Sequence, residues 1–161
     1  SKKGNPMALE IGSPAPDFSL PDETGAPVSL SSLKGKKVVL YFYPKDDTSG
    51  CTIEAKDFSC LVDDFAKEGA VVIGMSPDST KSHGKFLAKH ELKVRLVADE
   101  DKSAIQAYGV WAEKSMYGRK YMGVERSTFL IGEDGKILEI WKGVKVPGHA
   151  EAVLEAVKKA K

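Results

Sequence analysis

Only two thiols occur in this 161-residue chain, and one of them, Cys51, stands where a thiol can do chemistry. The apolar run Val38 to Tyr43 ends just upstream. Phe58, Leu61, Val62 and Phe65 recur downstream at helical spacing, so Cys51 falls at the start of a helix that follows a buried strand. The first N–H groups of a helix lack internal partners and its dipole is positive at that end, which favours a thiolate over a thiol. A thiolate so placed is a nucleophile near neutral pH. Position alone leaves the matter open, because a free cysteine serves as often as a small buried hydrophobe. The neighbours narrow it. Pro44, Thr48 and Cys51 follow one another at intervals of four and three in Tyr43-Pro44-Lys45-Asp46-Asp47-Thr48-Ser49-Gly50-Cys51-Thr52-Ile53-Glu54-Ala55. The Thr48 hydroxyl can donate and accept. Pro44 has no N–H and presents apolar surface, and Gly50 leaves room beside the backbone amides. Taken singly, Pro44 and Gly50 are equally ordinary for a strand-to-helix loop. Arg126, at the head of Ser127 to Ile131, would add a permanent charge and a planar fork of donors. Glu54 lies one turn after Cys51, where a carboxylate suits the helix dipole.

The elements that must position these residues follow an α/β alternation. Val38 to Tyr43 and Ala70 to Met75 are continuous β-branched and aromatic runs, as expected for strands buried on both faces of a largely parallel sheet. Between them the amphipathic helix ends near Gly69, giving a βαβ unit. A second helix is predicted from about Ser79 to His90, a strand over Arg95 to Ala98 and a brief helix around Lys102 to Tyr108. Ser127 to Ile131 and Lys136 to Trp141 read as a hairpin around Gly132-Glu133-Asp134-Gly135, and His149 to Ala160 as a closing helix. The opening stretch, with Pro14, Pro16, Pro21 and Pro27 around Phe18 to Leu20 and Val28 to Leu30, reads as an edge hairpin. The expected fold class is α/β: a thioredoxin-like three-layer sandwich with a mixed central sheet and an N-terminal β-hairpin extension. Residues 1–10 are expected to be a flexible arm and residues 11–161 a single domain.

Composition excludes several classes of partner. With 24 basic and 23 acidic residues the net charge is +1, which leaves no field for nucleic acid or an acidic membrane. The longest apolar stretches reach about a third of a bilayer span, so no membrane crossing is expected. Ser1 to Pro6 has no apolar core of a signal peptide behind it. Two cysteines cannot build a disulfide scaffold, and their scarcity suits a reducing compartment, so the cytoplasm is the expected location. A metal site drawn from Cys51, Cys60, His83, His90 and His149 lacks ligand spacing, and His83 and His90 read as helix-surface residues. Neither a metal nor another cofactor is expected.

The spacing Pro-x-x-x-Thr-x-x-Cys at Pro44, Thr48 and Cys51 resembles the peroxiredoxin signature. Glu125-Arg126-Ser127-Thr128-Phe129 resembles the segment that carries the peroxiredoxin arginine. From Ile11 onward the chain is most similar to the bacterioferritin co-migratory, or peroxiredoxin Q, group. The stretches that agree are Gly12-Ser13-Pro14-Ala15-Pro16-Asp17-Phe18, Tyr41 to Thr48, Ser76-Pro77-Asp78-Ser79 and Val144 to Ala150. The resemblance implies a thiol peroxidase for hydrogen peroxide and organic hydroperoxides, active in antioxidant defence and commonly monomeric. Thioredoxin or another thiol would be the reductant. Cys51 would then attack the peroxide, Thr48 and Arg126 would serve the sulfur and the leaving charge, Pro44 would shield the pocket, and Glu54 would hold Arg126.

The second thiol departs from the group's pattern. Many members place a resolving cysteine five residues after the nucleophile, where this chain has Lys56, and others on the next helix, near the equivalents of Phe86 to Lys89. Cys60 is the only other thiol, off the apolar stripe and expected to face solvent. Nine residues of intact helix separate it from Cys51 by roughly 13 Å and place it on the opposite face, whereas a disulfide needs Cα atoms within about 7 Å. Three fates of a Cys51 sulfenic acid stay open: resolution by an external thiol, a bond to Cys60 after unwinding, or a bond to Cys60 of a second copy. A dithiol oxidoreductase would need Cys-x-x-Cys, and the position three after Cys51 is Glu54. The remaining alternative is a non-catalytic thioredoxin-fold binding or holdase protein, against which Pro44, Thr48, Cys51 and Arg126 together argue. Trp111, Met116, Tyr117, Tyr121 and Met122 either line a mouth for organic hydroperoxides or, more commonly for such residues, pack a long loop.

Overall fold

The computed structural model describes residues 9–160; of the expected arm, residues 1–8 lie outside the described part. Strands β1 (Ser19–Pro21) and β2 (Pro27–Ser29) precede β3 (Lys37–Phe42), α1 (Ser49–Lys67), β4 (Ala70–Ser76), α2 (Thr80–His90), β5 (Arg95–Ala98) and α3 (Ser103–Ala107). Then come β6 (Trp111–Met116), β7 (Arg119–Val124), β8 (Ser127–Ile131), β9 (Ile137–Lys142) and α4 (His149–Lys159).

Five strands form the central sheet in the order β5-β4-β3-β8-β9. The β3–β4 and β4–β5 pairs are parallel, while β8 runs antiparallel to both β3 and β9, so the sheet is mixed as expected. Every residue of β3 is buried, because it is the middle strand and both its faces are covered. Its side chains alternate between two cores. Val38, Leu40 and Phe42 face Phe18, Val28, Ile105 and Tyr108, whereas Val39, Tyr41 and Tyr43 face Phe58, Phe65, Phe86, Val153 and Val157. The N-terminal hairpin and α3 thus cover one side, and α1 and α4 with Phe86 of α2 the other.

The β1–β2 hairpin is fastened to the β5 edge. Asp22 bridges to Val97, pairs with Arg95 at 2.9 Å and accepts hydrogen bonds from Thr24 and Ala26. These donors hold the Asp22 carboxyl at about 2 although burial opposes them.

Two expectations need correction. Trp111 to Val124 is not a packed loop but a two-stranded antiparallel ribbon, β6–β7, separate from the main sheet. Its tip carries Met116, Tyr117, Tyr121 and Met122 in the open, with Tyr117 fully exposed. The ribbon packs at its root, through Trp111 under the Lys102 ammonium and the buried Val124, and further along through the half-buried Lys114. His83 is not on the helix surface: it is wholly buried between Asp46 and the Val97 carbonyl. His90 is half-buried and bonded to Asp47. Among the described residues no helix is long and apolar enough to cross a membrane.

Candidate active site

Strand β3 ends at Phe42, and after six intervening residues α1 starts at Ser49 with Thr48 as its N-cap. The Thr48 carbonyl accepts the first helical bond, from the Thr52 amide at 2.9 Å, and also the Thr52 hydroxyl at 2.7 Å. The amides of Ser49, Gly50 and Cys51 therefore precede the helical ladder and point toward the helix N-terminus. Cys51 lies in this first turn, reduced and 2% exposed.

Arg126 arrives from the other side, at the entrance to β8. Its Nη2 donates to Cys51 Sγ at 3.4 Å and its Nη1 to Glu54 Oε1 at 2.6 Å. One guanidinium thus ties the thiol to a carboxylate of the same helix. Glu54 is 1% exposed, and burial pushes its carboxyl up to about 7 against the opposing pull of Arg126. For Arg126, burial acts to lower its proton affinity, but the charges of Glu54 and Cys51 raise it overall. The guanidinium is a fixed cation beside the sulfur. The second Glu54 oxygen, Oε2, and the Tyr41 hydroxyl are both buried without a hydrogen-bond partner. Burial, and then the Glu54 charge, hold the Tyr41 phenol well above its ordinary value.

The other residues singled out by sequence take definite places. Pro44 is half-buried at the loop entrance. The Thr48 hydroxyl is exposed and donates to the Lys45 carbonyl at 2.9 Å, not to Cys51. The room left by Gly50 is taken by Arg126 itself: a Cβ there would stand 3.2 Å from Nη2. Cys60 is exposed on the uninterrupted helix α1, as expected.

Three contributors escaped sequence reading. Lys114 on β6 is half-buried, and burial, followed by the Arg126 charge, lowers its ammonium while Cys51 and Glu125 act in the opposite sense. His149, at the start of α4, shares a hydrogen bond with the Thr128 hydroxyl at 2.8 Å and lies edge-on to Phe58 and Trp141. Burial and then Arg126 push it down to about 4, so it is neutral. Asp46 and His83 are buried against each other, and with Asp78 they are the one grouping among the described residues whose atoms could hold a metal ion. Their ligand atoms are engaged in hydrogen bonds to one another and to neighbouring groups.

A thiol in the first turn of a helix, met by an arginine that a buried carboxylate holds, is fitted to attack an electrophile whose leaving group departs as an anion. Residues 11–140 match the family described as AhpC/TSA. The chain belongs to the AhpC/TSA family of peroxiredoxins. Within that family it is similar to peroxiredoxin Bcp of Bacillus subtilis, 48% identical over 152 residues that cover 94% of this chain and 97% of the relative. The peroxiredoxin Bcp of Escherichia coli K12 is 40% identical over 150 residues, covering 93% and 96%. The solved structure of Xanthomonas campestris peroxiredoxin Q superposes with a TM-score of 0.86 at 45% identity, covering 93% of this chain and 95% of that one. The thioredoxin-like peroxiredoxin fold and the bacterioferritin co-migratory grouping expected from sequence are both borne out. A further structure of the Xanthomonas campestris bacterioferritin comigratory protein is described in terms of alkyl peroxide reduction.

Proposed function

We propose that this peroxiredoxin reduces hydroperoxides, alkyl hydroperoxides included, with Cys51 as the attacking thiolate. The sulfur electron pair takes the terminal oxygen of R–O–OH as the O–O bond breaks, leaving Cys51 as a sulfenic acid and R–O⁻, which takes up a proton to become R–OH. Arg126 and the free amides of the first turn of α1 meet the negative charge on the sulfur and, as the bond breaks, on the departing oxygen. Glu54 keeps the guanidinium aimed, and Pro44 limits water at the pocket entrance. The Thr48 hydroxyl, one bond rotation from its Lys45 partner, is the local donor for the incoming peroxide. The observation that carries this reading is the pair of bonds from Arg126, to Cys51 at 3.4 Å and to Glu54 at 2.6 Å.

Regeneration by an external thiol is supported by the unbroken course of α1 from Ser49 to Lys67, which keeps Cys60 roughly 13 Å from Cys51. The first external thiol displaces water from the sulfenic acid to form a mixed disulfide, and a second releases Cys51 as the thiol. Thioredoxin or a small thiol suits this role. The scarcity of cysteine supports a cytoplasmic location, and the likeness to the peroxiredoxin Q group supports a monomer.

The test is peroxide consumption, with a dithiol donor, by wild type and Cys51→Ser. Loss of turnover in the variant is expected; equal rates overturn the proposal.

A further inference from the structure

Between Tyr43 and Thr48 the chain is mostly open to solvent: Pro44 is half-buried, and Lys45, Asp47 and Thr48 are exposed. Asp46 is the exception, 7% exposed, and four groups converge on it. Its Oδ1 accepts from the Tyr43 hydroxyl at 2.6 Å, and its Oδ2 accepts from the Ser82 hydroxyl at 2.8 Å and from His83 Nδ1 at 2.7 Å. Its own amide donates to Asp78 at 2.8 Å. On the far side of the imidazole, Nε2 lies 3.0 Å from the Val97 carbonyl, which can only accept, so Nε2 carries a hydrogen. Nδ1, on the near side, shares a hydrogen with Asp46 Oδ2, so both ring nitrogens are engaged. His83 and Asp46 are thus a buried hydrogen-bonded pair, 0% and 4% exposed at their side chains.

We propose that this pair is a latch that holds the loop before Cys51 on α2, and that His83 is a positioning residue for the attack on peroxide. The inference rests on the peroxidase reading, since that attack is what the latch positions. His83 acts through Asp46 and the five residues that lead from it to Cys51. Without it Asp46 keeps the Tyr43 and Ser82 hydroxyls and its amide bond to Asp78, but loses the ring that joins it to the Val97 carbonyl, and the rest of the loop has only weak outer ties. Asp47, in a left-handed conformation with φ 61°, pairs with Lys89 and His90 at the surface, where such bonds contribute little. The Thr48 bond to Lys45 lies within the loop and fixes nothing outside it. Removing the ring strips a buried hydrogen bond from Asp46 and leaves a buried polar group short of a partner, so the loop is expected to leave its seat.

The test uses His83→Leu and Asp46→Asn with three readouts: Cys51 oxidation by hydrogen peroxide, Cys51 alkylation by iodoacetamide followed on its peptide, and amide hydrogen exchange. Asparagine can keep the bonds to a neutral His83. In His83→Leu, oxidation is expected to slow about 30-fold, as displacement of a reacting group by an ångström can do. Alkylation should quicken, and exchange should rise over residues 45–52 while β3 and β8 stay protected. Asp46→Asn is expected to stay within about threefold of wild type. If His83→Leu does not fold, Ser82→Ala removes one donor at the half-buried rim and should slow oxidation about threefold, with the same local rise in exchange. Wild-type oxidation and exchange in His83→Leu overturn the latch, as do a rise in exchange shared by the whole sheet and a loss of rate in either variant without loosening of residues 45–52. Alkylation and exchange need no peroxidase activity, so they decide the latch even where Cys51→Ser and wild type consume peroxide equally and the peroxidase reading itself fails.

Discussion

A Cβ on Gly50 would stand 3.2 Å from Arg126 Nη2, the nitrogen that donates to Cys51. The backbone there is helical, so alanine would be the better helix former by about 0.5–1 kcal/mol. Gly50→Ala is therefore expected to raise the melting temperature slightly while slowing peroxide reduction about fivefold, because the guanidinium must give way between two fixed partners. Thermal melts and steady-state rates on one preparation check both halves; a stabilised variant with full activity would show that Arg126 has slack.

Glu54 and His149 make opposite contributions to stability over one pH range. Glu54 is raised from 4.5 to about 7, so between those values the native state keeps a proton that the unfolded chain has lost, and its contribution grows as pH falls. His149 is lowered from 6.5 to about 4, so the unfolded chain gains a proton that the native state refuses, and its contribution shrinks as pH falls. Each is worth about 2–3 kcal/mol over the two pH units they share. Denaturant midpoints from pH 4.5 to 6.5 should show the two slopes singly: Glu54→Gln should lose stability on acidification relative to wild type, and His149→Gln should gain it. Parallel curves for all three proteins would contradict the burial of both groups.

Cys60 is expected to be dispensable. Cys60→Ser should reduce peroxide with dithiothreitol as donor at a rate within about twofold of wild type, since exposed sites away from the chemistry seldom matter more. After one equivalent of peroxide, the wild-type monomer should gain a single oxygen by intact mass. A loss of two mass units within a monomer, or a dimer on a non-reducing gel, would instead assign Cys60 a resolving role.

Lys114 adds a second cation near the sulfur, from a ribbon outside the main sheet. Lys114→Met is expected to slow Cys51 oxidation two- to threefold and to flatten its dependence on salt between roughly 0.01 and 0.5 M. Rates at several ionic strengths check this, and an unchanged salt profile would remove Lys114 from the site.

The positions proposed to be catalytic were legible because their spacing is local or falls at element ends. Pro44, Thr48 and Cys51 lie within one loop and one helical turn, and Arg126 precedes a strand whose apolar run announces itself. Strands β3, β4 and β8 were legible because burial on both faces leaves continuous apolar runs, and edge strand β9 because a Gly-containing turn joins it to β8. His83 was not. It shares its face of α2 with Phe86 and Leu87, three and four residues on, a signal too short to outweigh its own polarity, and its partner Asp46 is 37 residues away, brought near by the crossover from β3 to β4. Ribbon β6–β7 was hidden for the opposite reason. Most of its residues are exposed on both faces, so burial imposes no period of two and only the Tyr117-Gly118 turn, with both residues at positive φ, could have hinted at it.

That ribbon has a use independent of what fills its tip. Its root is closed by the Glu125 amide on the Val110 carbonyl at 2.8 Å, between buried Val110 and Val124, and the next residue is Arg126. A fluorescent label at position 117 would sit at the end of a stiff antenna whose foot adjoins the guanidinium. A rearrangement of Arg126 during turnover would then be broadcast to solvent as a change in the label's tumbling, readable without touching the sulfur.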